Sequence, residues 1–232
     1  MPLASVQSVK AGRHARQHGA MEFSEAPIDL DKLRRYRLQR LRGKMEKFDV
    51  AGLLLFNQIN TRYATDVTNM QIWCSHYESR CVFVAVDGPV VLFDYSNHPH
   101  LMEGVPTIDE YRVLPGISFF GAGNRISEFS QEFAAQIADL MRIHGNQNLR
   151  LAVDRLSHTS CDALRARGLE LIEGEQITET ARAVKSEEEL ILMQASVDVC
   201  EEGILSMQES LEPGITENAL WAKLHETNIW LG

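Results

Sequence analysis

Residues 81–95 read CVFVAVDGPVVLFDY and carry the clearest indication of secondary structure in the chain. Two apolar runs, 81–86 and 90–95, lie on either side of Asp87-Gly88-Pro89. Asp-Gly between two apolar runs is a strong hairpin signal, because both residues tolerate the positive φ angles of tight turns. The sequence therefore predicts two antiparallel strands joined by this turn.

On the N-terminal side, the run VAGLLLF at 50–56 is continuously apolar and has the length of a strand. Such a run is typical of a strand that is buried on both faces. Before it, apolar residues recur at near-helical spacing from Leu30 to Phe48, and Asp29 can serve as the N-cap. We therefore predict a helix followed by a central strand.

On the C-terminal side, short strands alternate with helices. Strands are predicted at 109–114, 149–153 and 169–172, and helices at 126–143, where Gly145 can end the helix, and at 157–167. Helices, buried strands and one hairpin in this order predict an α/β fold, a mixed sheet flanked by helices.

Near residue 177 the pattern changes to helices alone. Ser186 and Glu189 have the spacing of a capping box that opens a helix to about Leu211. Pro213-Gly214 ends this helix, and Thr216 can cap another that runs to Gly232. We predict three parts: a polar, disordered tail at 1–26, an α/β domain at 27–177, and at 178–232 the start of a second domain that is incomplete.

The composition is that of a globular protein, with 44% hydrophobic and 24% charged residues. The net charge of −9 is uneven, since residues 1–45 hold ten Lys/Arg and four Asp/Glu, whereas 170–232 hold three and fourteen. The five basic residues Arg34, Arg35, Arg37, Arg40 and Arg42 fall on the first predicted helix. We interpret them as a solvated helix face, and we predict no nucleic-acid partner.

No apolar run approaches the ~20 residues that cross a bilayer, so no membrane association is predicted. The N-terminus has no apolar stretch typical of a secretory signal. The four cysteines show no CxxC spacing, so we expect reduced thiols and a cytoplasmic location.

Three motifs resemble catalytic signatures without completing them. His225-Glu226 lacks the second histidine of HExxH, because Ile229 stands there. His98-Pro99-His100 is interpreted as a loop with no accompanying carboxylate pattern, and Gly121-Ala122-Gly123 as a loop that uses glycine for its backbone angles. We predict no catalytic residue and no metal ligand in this chain.

The segment 57–73, NQINTRYATDVTNMQIW, is the exception. It starts at the carboxyl end of a predicted strand, where open α/β sheets present functional loops. Arg62, Tyr63 and Trp73 are residue types favoured in pockets and interfaces. A functional role and simple packing under the sheet remain open at this point.

Two separated motifs resemble a known family. The text Asn57 to Thr65 after the first strand is similar to the N-terminal domain of the creatinase, prolidase and aminopeptidase P family. Further along, 181–204 and 212–226 resemble the opening helices of that family's catalytic domain, in the right order. The matching positions are Lys185, Ser186, Glu189, Pro213, Gly214, Thr216 and Glu217. The passage RYATDVTNMQIW also resembles a branch that includes dimethylsulfoniopropionate lyases.

The resemblance implies a homodimeric enzyme whose second domain has the pita-bread fold and binds two divalent metal ions (Mn, Zn, Co or Fe). The family's ligands, two Asp, one His and two Glu, lie downstream of the helices seen here, so this chain alone is expected to bind no metal and to be inactive. The full-length parent is expected to be an Xaa-Pro dipeptidase or related C–N hydrolase, or else a lyase; a third alternative is a non-catalytic interaction module. In the family the N-terminal domain often helps to close the partner's active site, and Arg62, Tyr63 and Trp73 would carry that role.

Overall fold

The computed structural model describes residues 28–68 and 76–231. They fall into two compact units: one is Leu30–Val184, and the other includes Lys185–Gly232. The domain boundary predicted at residue 177 stays a prediction.

The first unit is built on a six-stranded mixed sheet with the order β4-β3-β2-β1-β5-β6. Its strands are β1 Gly52–Leu55, β2 Cys81–Ala85, β3 Val90–Asp94, β4 Glu110–Val113, β5 Arg150–Val153 and β6 Glu170–Glu173. β2 is antiparallel to both β1 and β3, whereas the pairs β1–β5, β5–β6 and β3–β4 are parallel. Every strand except β2 therefore ends at the same edge, which we call the carboxyl edge.

Helices cover both faces of this sheet. In the first unit they are α1 Leu30–Lys47, α2 Gln58–Thr65, α3 Phe119–Ala122, α4 Ile126–His144, α5 His158–Ala166 and α6 Glu175–Arg182, with short 3-10 turns at Pro99–Met102 and Gly123–Arg125. The mixed sheet flanked by helices confirms the predicted fold class.

Side-chain alternation along the strands divides the core into two layers. On β2, Phe83 packs in one cluster with Phe133 of α4, while Val82 packs in the other with Leu41 of α1. There are two layers because successive side chains of a strand point to opposite faces, and helices cover each layer. This burial on both faces explains why the sequences 50–56 and 81–86 are apolar at every position.

The hairpin is confirmed, since Val84 pairs with Val90 across the predicted turn. The predicted strand at 109–114 is also present, but it lies parallel to β3 at the edge of the sheet. Gly145 caps α4, and its backbone φ is negative. Glycine is required there because a Cβ would lie 2.4 Å from the carbonyl oxygen of Met141.

The interpretation of the α1 arginines as a solvated face is wrong for several of them. The guanidinium of Arg34 donates to Asp66 at 3.0 and 3.1 Å, and Arg40 donates to the carbonyl of Ala181 at 3.4 Å. Arg42 donates to the carbonyls of Ala85 and Gly88 in the hairpin. The long side chains tie α1 to its neighbours, which helical periodicity alone does not show.

The second unit contains the helices α7 Glu187–Glu209 and α8 Glu217–Leu231. The capping box is confirmed, because Ser186 accepts from the amide of Glu189 and the Glu189 carboxylate accepts from the amide of Ser186. Thr216 accepts from the amide of Ala219, as a helix cap does. None of the described helices is long and apolar enough to cross a membrane.

Candidate functional site

The carboxyl edge of the sheet collects the polar groups of the first unit. β1 is followed by Asn57, β3 ends at Asp94, and β5 is followed by Asp154. β2 runs the other way, so Arg80, which precedes it, lies at the same edge. The sheet order brings these groups together because β1 lies between β2 and β5.

Asp154 accepts hydrogen bonds from three donors that lie in α2 or in the two residues before it. The amides of Phe56 and Asn57 donate at 2.8 and 3.2 Å, and Nδ2 of Asn60 donates at 2.9 Å. Asn57 also caps α2 by accepting from the amide of Ile59. A carboxylate beside a helix N-terminus satisfies amides that have no partner within the helix. Asp154 therefore joins β5 to the loop after β1.

Burial raises the pKa of the Asp154 carboxyl, and the hydrogen bonds from Asn60 and from the amides of Phe56, Asn57 and Arg155 offset part of this rise. Burial disfavours the charged form, whereas donors favour it. The pKa of the Cys81 thiol is also raised, first by burial and then by the negative charges of Asp154 and Asp94. Cys81 is thus a buried core thiol whose ionised form is disfavoured.

The same network continues to α6. Arg182 donates from Nη1 to Oδ1 of Asn60 at 2.7 Å and from Nη2 to Glu179 at 2.8 Å. Asn60 therefore uses its oxygen for Arg182 and its nitrogen for Asp154, which fixes the orientation of its amide. The result is a series of hydrogen bonds from Asp154 through Asn60 to Arg182 that connects β5, α2 and α6.

The structure places Arg62 and Tyr63 on different sides of α2. Arg62 is about half exposed, and its Nε lies 4.0 Å from Asp66. Tyr63 is buried, its hydroxyl donates to the carbonyl of Ala181 at 3.3 Å, and Arg37 lies over its ring. Trp73 lies outside the described residues. The structure thus gives Tyr63 a packing contact and leaves Arg62 accessible at the surface.

A second polar cluster lies at the end of β3. Asp94 is fully buried, and Arg80, which is 5% exposed, donates to it from Nε at 2.6 Å. The other carboxylate oxygen accepts from the amide of Tyr95 at 2.7 Å and lies 3.1 Å from Nδ1 of His98. The expectation that no carboxylate accompanies His98 is therefore wrong, because Asp94 stands four residues before it.

The sequence alone does not single out Asp154, Arg182 or the Arg80–Asp94 pair, and it indicates Asn60 only as part of the segment 57–73. One signal was available: Asp94 and Asp154 each lie at the end of a predicted strand, as the segment after β1 does. In the described part of the chain no three His, Cys, Asp or Glu side chains are grouped so as to hold a metal ion. A two-metal centre needs bridging carboxylates, and the described residues do not fit one.

Comparison with known proteins gives a consistent result. The sequence model of the creatinase/prolidase N-terminal domain matches residues 37–184. The chain is 37% identical over 209 residues to the dimethylsulfoniopropionate lyase DddP of Roseovarius nubinhibens, covering 88% of this chain and 47% of that protein. The DddP of Roseobacter denitrificans matches with the same identity and the same coverage. The chain spans about half the length of these curated relatives.

Solved structures share the fold at lower sequence identity. An Xaa-Pro dipeptidase from Bacillus anthracis superposes with a TM-score of 0.61 at 17% identity, covering 84% of this chain and 49% of that one. A prolidase from Pyrococcus furiosus gives 0.61 at 12% identity, covering 84% of this chain and 53% of that one. These similarities establish a common architecture.

Proposed function

The chain belongs to the creatinase/prolidase family, and from that premise we propose that it is the N-terminal part of an enzyme that cleaves the carbon–sulfur bond of dimethylsulfoniopropionate. The observation that carries this proposal is the 37% identity over 209 residues to two proteins named as dimethylsulfoniopropionate lyases. Similarity to the named peptidases is confined to the fold, at 12–17% identity. An Xaa-Pro dipeptidase or related C–N hydrolase is the second candidate, because that fold is shared.

Within such an enzyme, we propose that Leu30–Val184 is an accessory domain and that the catalytic groups lie outside these 232 residues. Two divalent metal ions (Mn, Zn, Co or Fe) would then be held by residues that follow the α7–α8 pair. The described residues would then serve to form a stable domain, to associate with a second copy and to expose the carboxyl edge of the sheet to the rest of the enzyme.

The surface of the second unit supports this division. Among the described residues of this unit nine large apolar side chains are exposed, including Leu190, Met193, Val197 and Ile204 along one side of α7. Helices that leave an apolar stripe uncovered are marginal by themselves. We propose that the remainder of the enzyme covers this stripe, and that the enzyme is a homodimer.

The direct test compares the 232-residue chain with the complete gene product. Both are assayed with Mn²⁺, Zn²⁺, Co²⁺ or Fe²⁺, on dimethylsulfoniopropionate and on Xaa-Pro dipeptides. We expect dimethyl sulfide release from the complete product and no turnover by the 232-residue chain. Hydrolysis of the dipeptides without lyase activity would establish the second candidate, and chelator-sensitive turnover by the purified 232-residue chain would overturn the accessory role.

The segment after β1 supplies a second, narrower proposal, that Arg62 and Trp73 contribute to substrate binding in the complete enzyme. Arg62 is accessible, and a guanidinium can pair with a substrate carboxylate. An aromatic face such as that of Trp73 can accept a sulfonium or ammonium cation. Arg62→Ala and Trp73→Ala should each lower kcat/KM about tenfold or more, which corresponds to about 1.4 kcal/mol or more, with Tm nearly unchanged.

Arg35→Ala is the matched control, because Arg35 is an exposed arginine on α1. It should leave both kcat/KM and Tm unchanged. Tyr63→Phe removes the hydroxyl that donates to Ala181, so its first effect should be on stability, about 1 kcal/mol. Unchanged kinetics in stably folded Arg62→Ala and Trp73→Ala would exclude the segment from substrate binding.

A further inference from the structure

The buried pair of Arg80 and Asp94 supports an accessible histidine at the carboxyl edge. Asp94 is 0% exposed and Arg80 is 5% exposed. A buried ion pair contributes little net stability, because the cost of removing two charges from water offsets their attraction. This pair also contacts His98, whose side chain is 24% exposed. Supporting that histidine is therefore a better explanation of the pair than stability is.

Asp94 determines which nitrogen of His98 carries the proton. Paired with Arg80, Asp94 is an ionised carboxylate and accepts hydrogen bonds only. Nδ1 of His98, 3.1 Å from Oδ1 of Asp94, therefore donates, and in the neutral imidazole Nε2 then keeps its lone pair. Histidines that bind metals have this arrangement: a carboxylate holds one ring nitrogen, which orients the ring and makes the other nitrogen a better ligand.

A second imidazole stands beside the first. The ring centroids of His98 and His100 are 6.0 Å apart with an interplanar angle of 84°. The Tyr95 ring packs edge-on against His98 at 5.3 Å. Two imidazoles that share one metal ion at about 2.1 Å have ring centroids about 5 Å apart. The observed separation is about 1 Å larger than this, and the side chain of His100 is exposed at the surface.

We propose that His98 and His100 form a binding site for a single divalent transition-metal ion of the Ni²⁺, Cu²⁺ or Zn²⁺ type. Imidazole nitrogen suits these ions, whereas Ca²⁺ and Mg²⁺ prefer oxygen ligands. Two protein ligands leave the other coordination positions to water, so the site is open and exchangeable.

The test uses the untagged 232-residue chain after chelator treatment. Titration calorimetry with Ni²⁺ and Zn²⁺ should show one site, and the spectrum of bound Cu²⁺ in electron paramagnetic resonance should show two nitrogen ligands. His98→Ala and His100→Ala should each weaken binding about tenfold or more, since loss of a supporting group alone typically costs 10–100-fold. The matched control is His225→Ala, an exposed histidine on α8, which should bind as the wild type does. Absence of binding, or binding that persists in His98→Ala with folded circular dichroism spectra, would overturn the proposal.

A metal-free measurement tests the supporting role of Asp94. Nitrogen-15 spectra of the neutral imidazole should show His98 protonated at Nδ1. An exposed histidine such as His225 should instead show both neutral tautomers, with the one protonated at Nε2 in excess. A His98 ring protonated at Nε2 would contradict the assignment, because Nε2 could then not bind the metal while Asp94 held Nδ1.

Discussion

The two units differ in how they treat their apolar side chains. In Leu30–Val184, aromatic and aliphatic residues fill two layers on either side of a sheet, and Phe83, Phe93 and Phe133 are fully buried. In the second unit, Leu231 is the one large apolar side chain that the described residues bury, while Trp221 and Trp230 are exposed. A sheet covered by helices on both faces buries its apolar side chains, whereas two packed helices bury only the side chains that lie between them. We therefore expect the first unit to be stable by itself, and we propose that the second unit is stabilised by a partner surface.

The largest expected effect contrasts aromatic residues of the two units. Phe133→Ala should cost about 3–5 kcal/mol, because the ring is fully buried and packs edge-on against Phe56 and Phe93. Trp230→Ala should change the free energy of unfolding by less than about 0.5 kcal/mol, because that ring is 77% exposed. Urea denaturation of the 232-residue chain measures both.

The control for this pair is Phe119→Ala, a phenylalanine of the first unit that is 69% exposed. It should behave as Trp230→Ala does, which shows that burial rather than residue type sets the cost. A loss of several kcal/mol in Trp230→Ala would break the contrast between the units.

Alanine substitutions of Gly174 in the first unit and Gly203 in the second should have intermediate effects on stability. A Cβ at Gly174 would lie 2.7 and 2.8 Å from backbone atoms of Val153 and Asp154, which cannot move aside. Gly174→Ala should therefore cost about 1–3 kcal/mol or more in thermal or urea unfolding. In α7, a Cβ at Gly203 would meet the side-chain tip of Leu224 at 2.7 Å, which can rotate.

Gly203→Ala also gains about 1 kcal/mol of helix propensity, so its net effect should lie within about 1 kcal/mol of zero. The same substitution is thus expected to be damaging in the first unit and tolerated in the second. Equal losses at both sites would show that α7 and α8 pack as rigidly as the sheet does.

The sequence predicted the elements whose signals are local. The Asp87-Gly88 turn, the run 50–56 and the Ser186 capping box each depend on neighbouring residues, and each is found in the structure. The helices α2 and α6 were not predicted, because each has only eight residues and too few apolar positions to show a period.

The candidate site was only partly predictable, because its contacts join distant parts of the chain. Asn60 meets Asp154 across 94 residues and Arg182 across 122. Those contacts depend on β1 and β5 being neighbours and on α6 packing beside α1, which no local pattern specifies. Arg62 and Tyr63 are adjacent in sequence, yet α2 turns one to solvent and the other to the core.

The smallest expected effect is a pH dependence that belongs to Asp154. Its pKa is raised in the folded state, so between its ordinary value and the raised value the folded protein binds more proton than the unfolded chain. The stability contribution of Asp154 should therefore grow as pH falls through that window, and it should be constant above it. The wild type minus Asp154→Asn difference in unfolding free energy, measured in urea from pH 7 down to pH 4, should increase. A difference that decreases towards acid would mean that the hydrogen bonds outweigh burial.

Hydrogen exchange tests the contrast between the units most directly. In the 232-residue chain as a monomer, amides of Cys81–Ala85 and Val90–Asp94 should be strongly protected, while those of Glu187–Glu209 and Glu217–Leu231 should exchange close to the unprotected rate. In the complete enzyme proposed above, the same two helices should become protected, because we propose that the remainder of that enzyme covers their apolar side. Strong protection of Glu187–Glu209 in the monomeric 232-residue chain would contradict the proposed need for a covering surface, since the helix pair would then be stable without one.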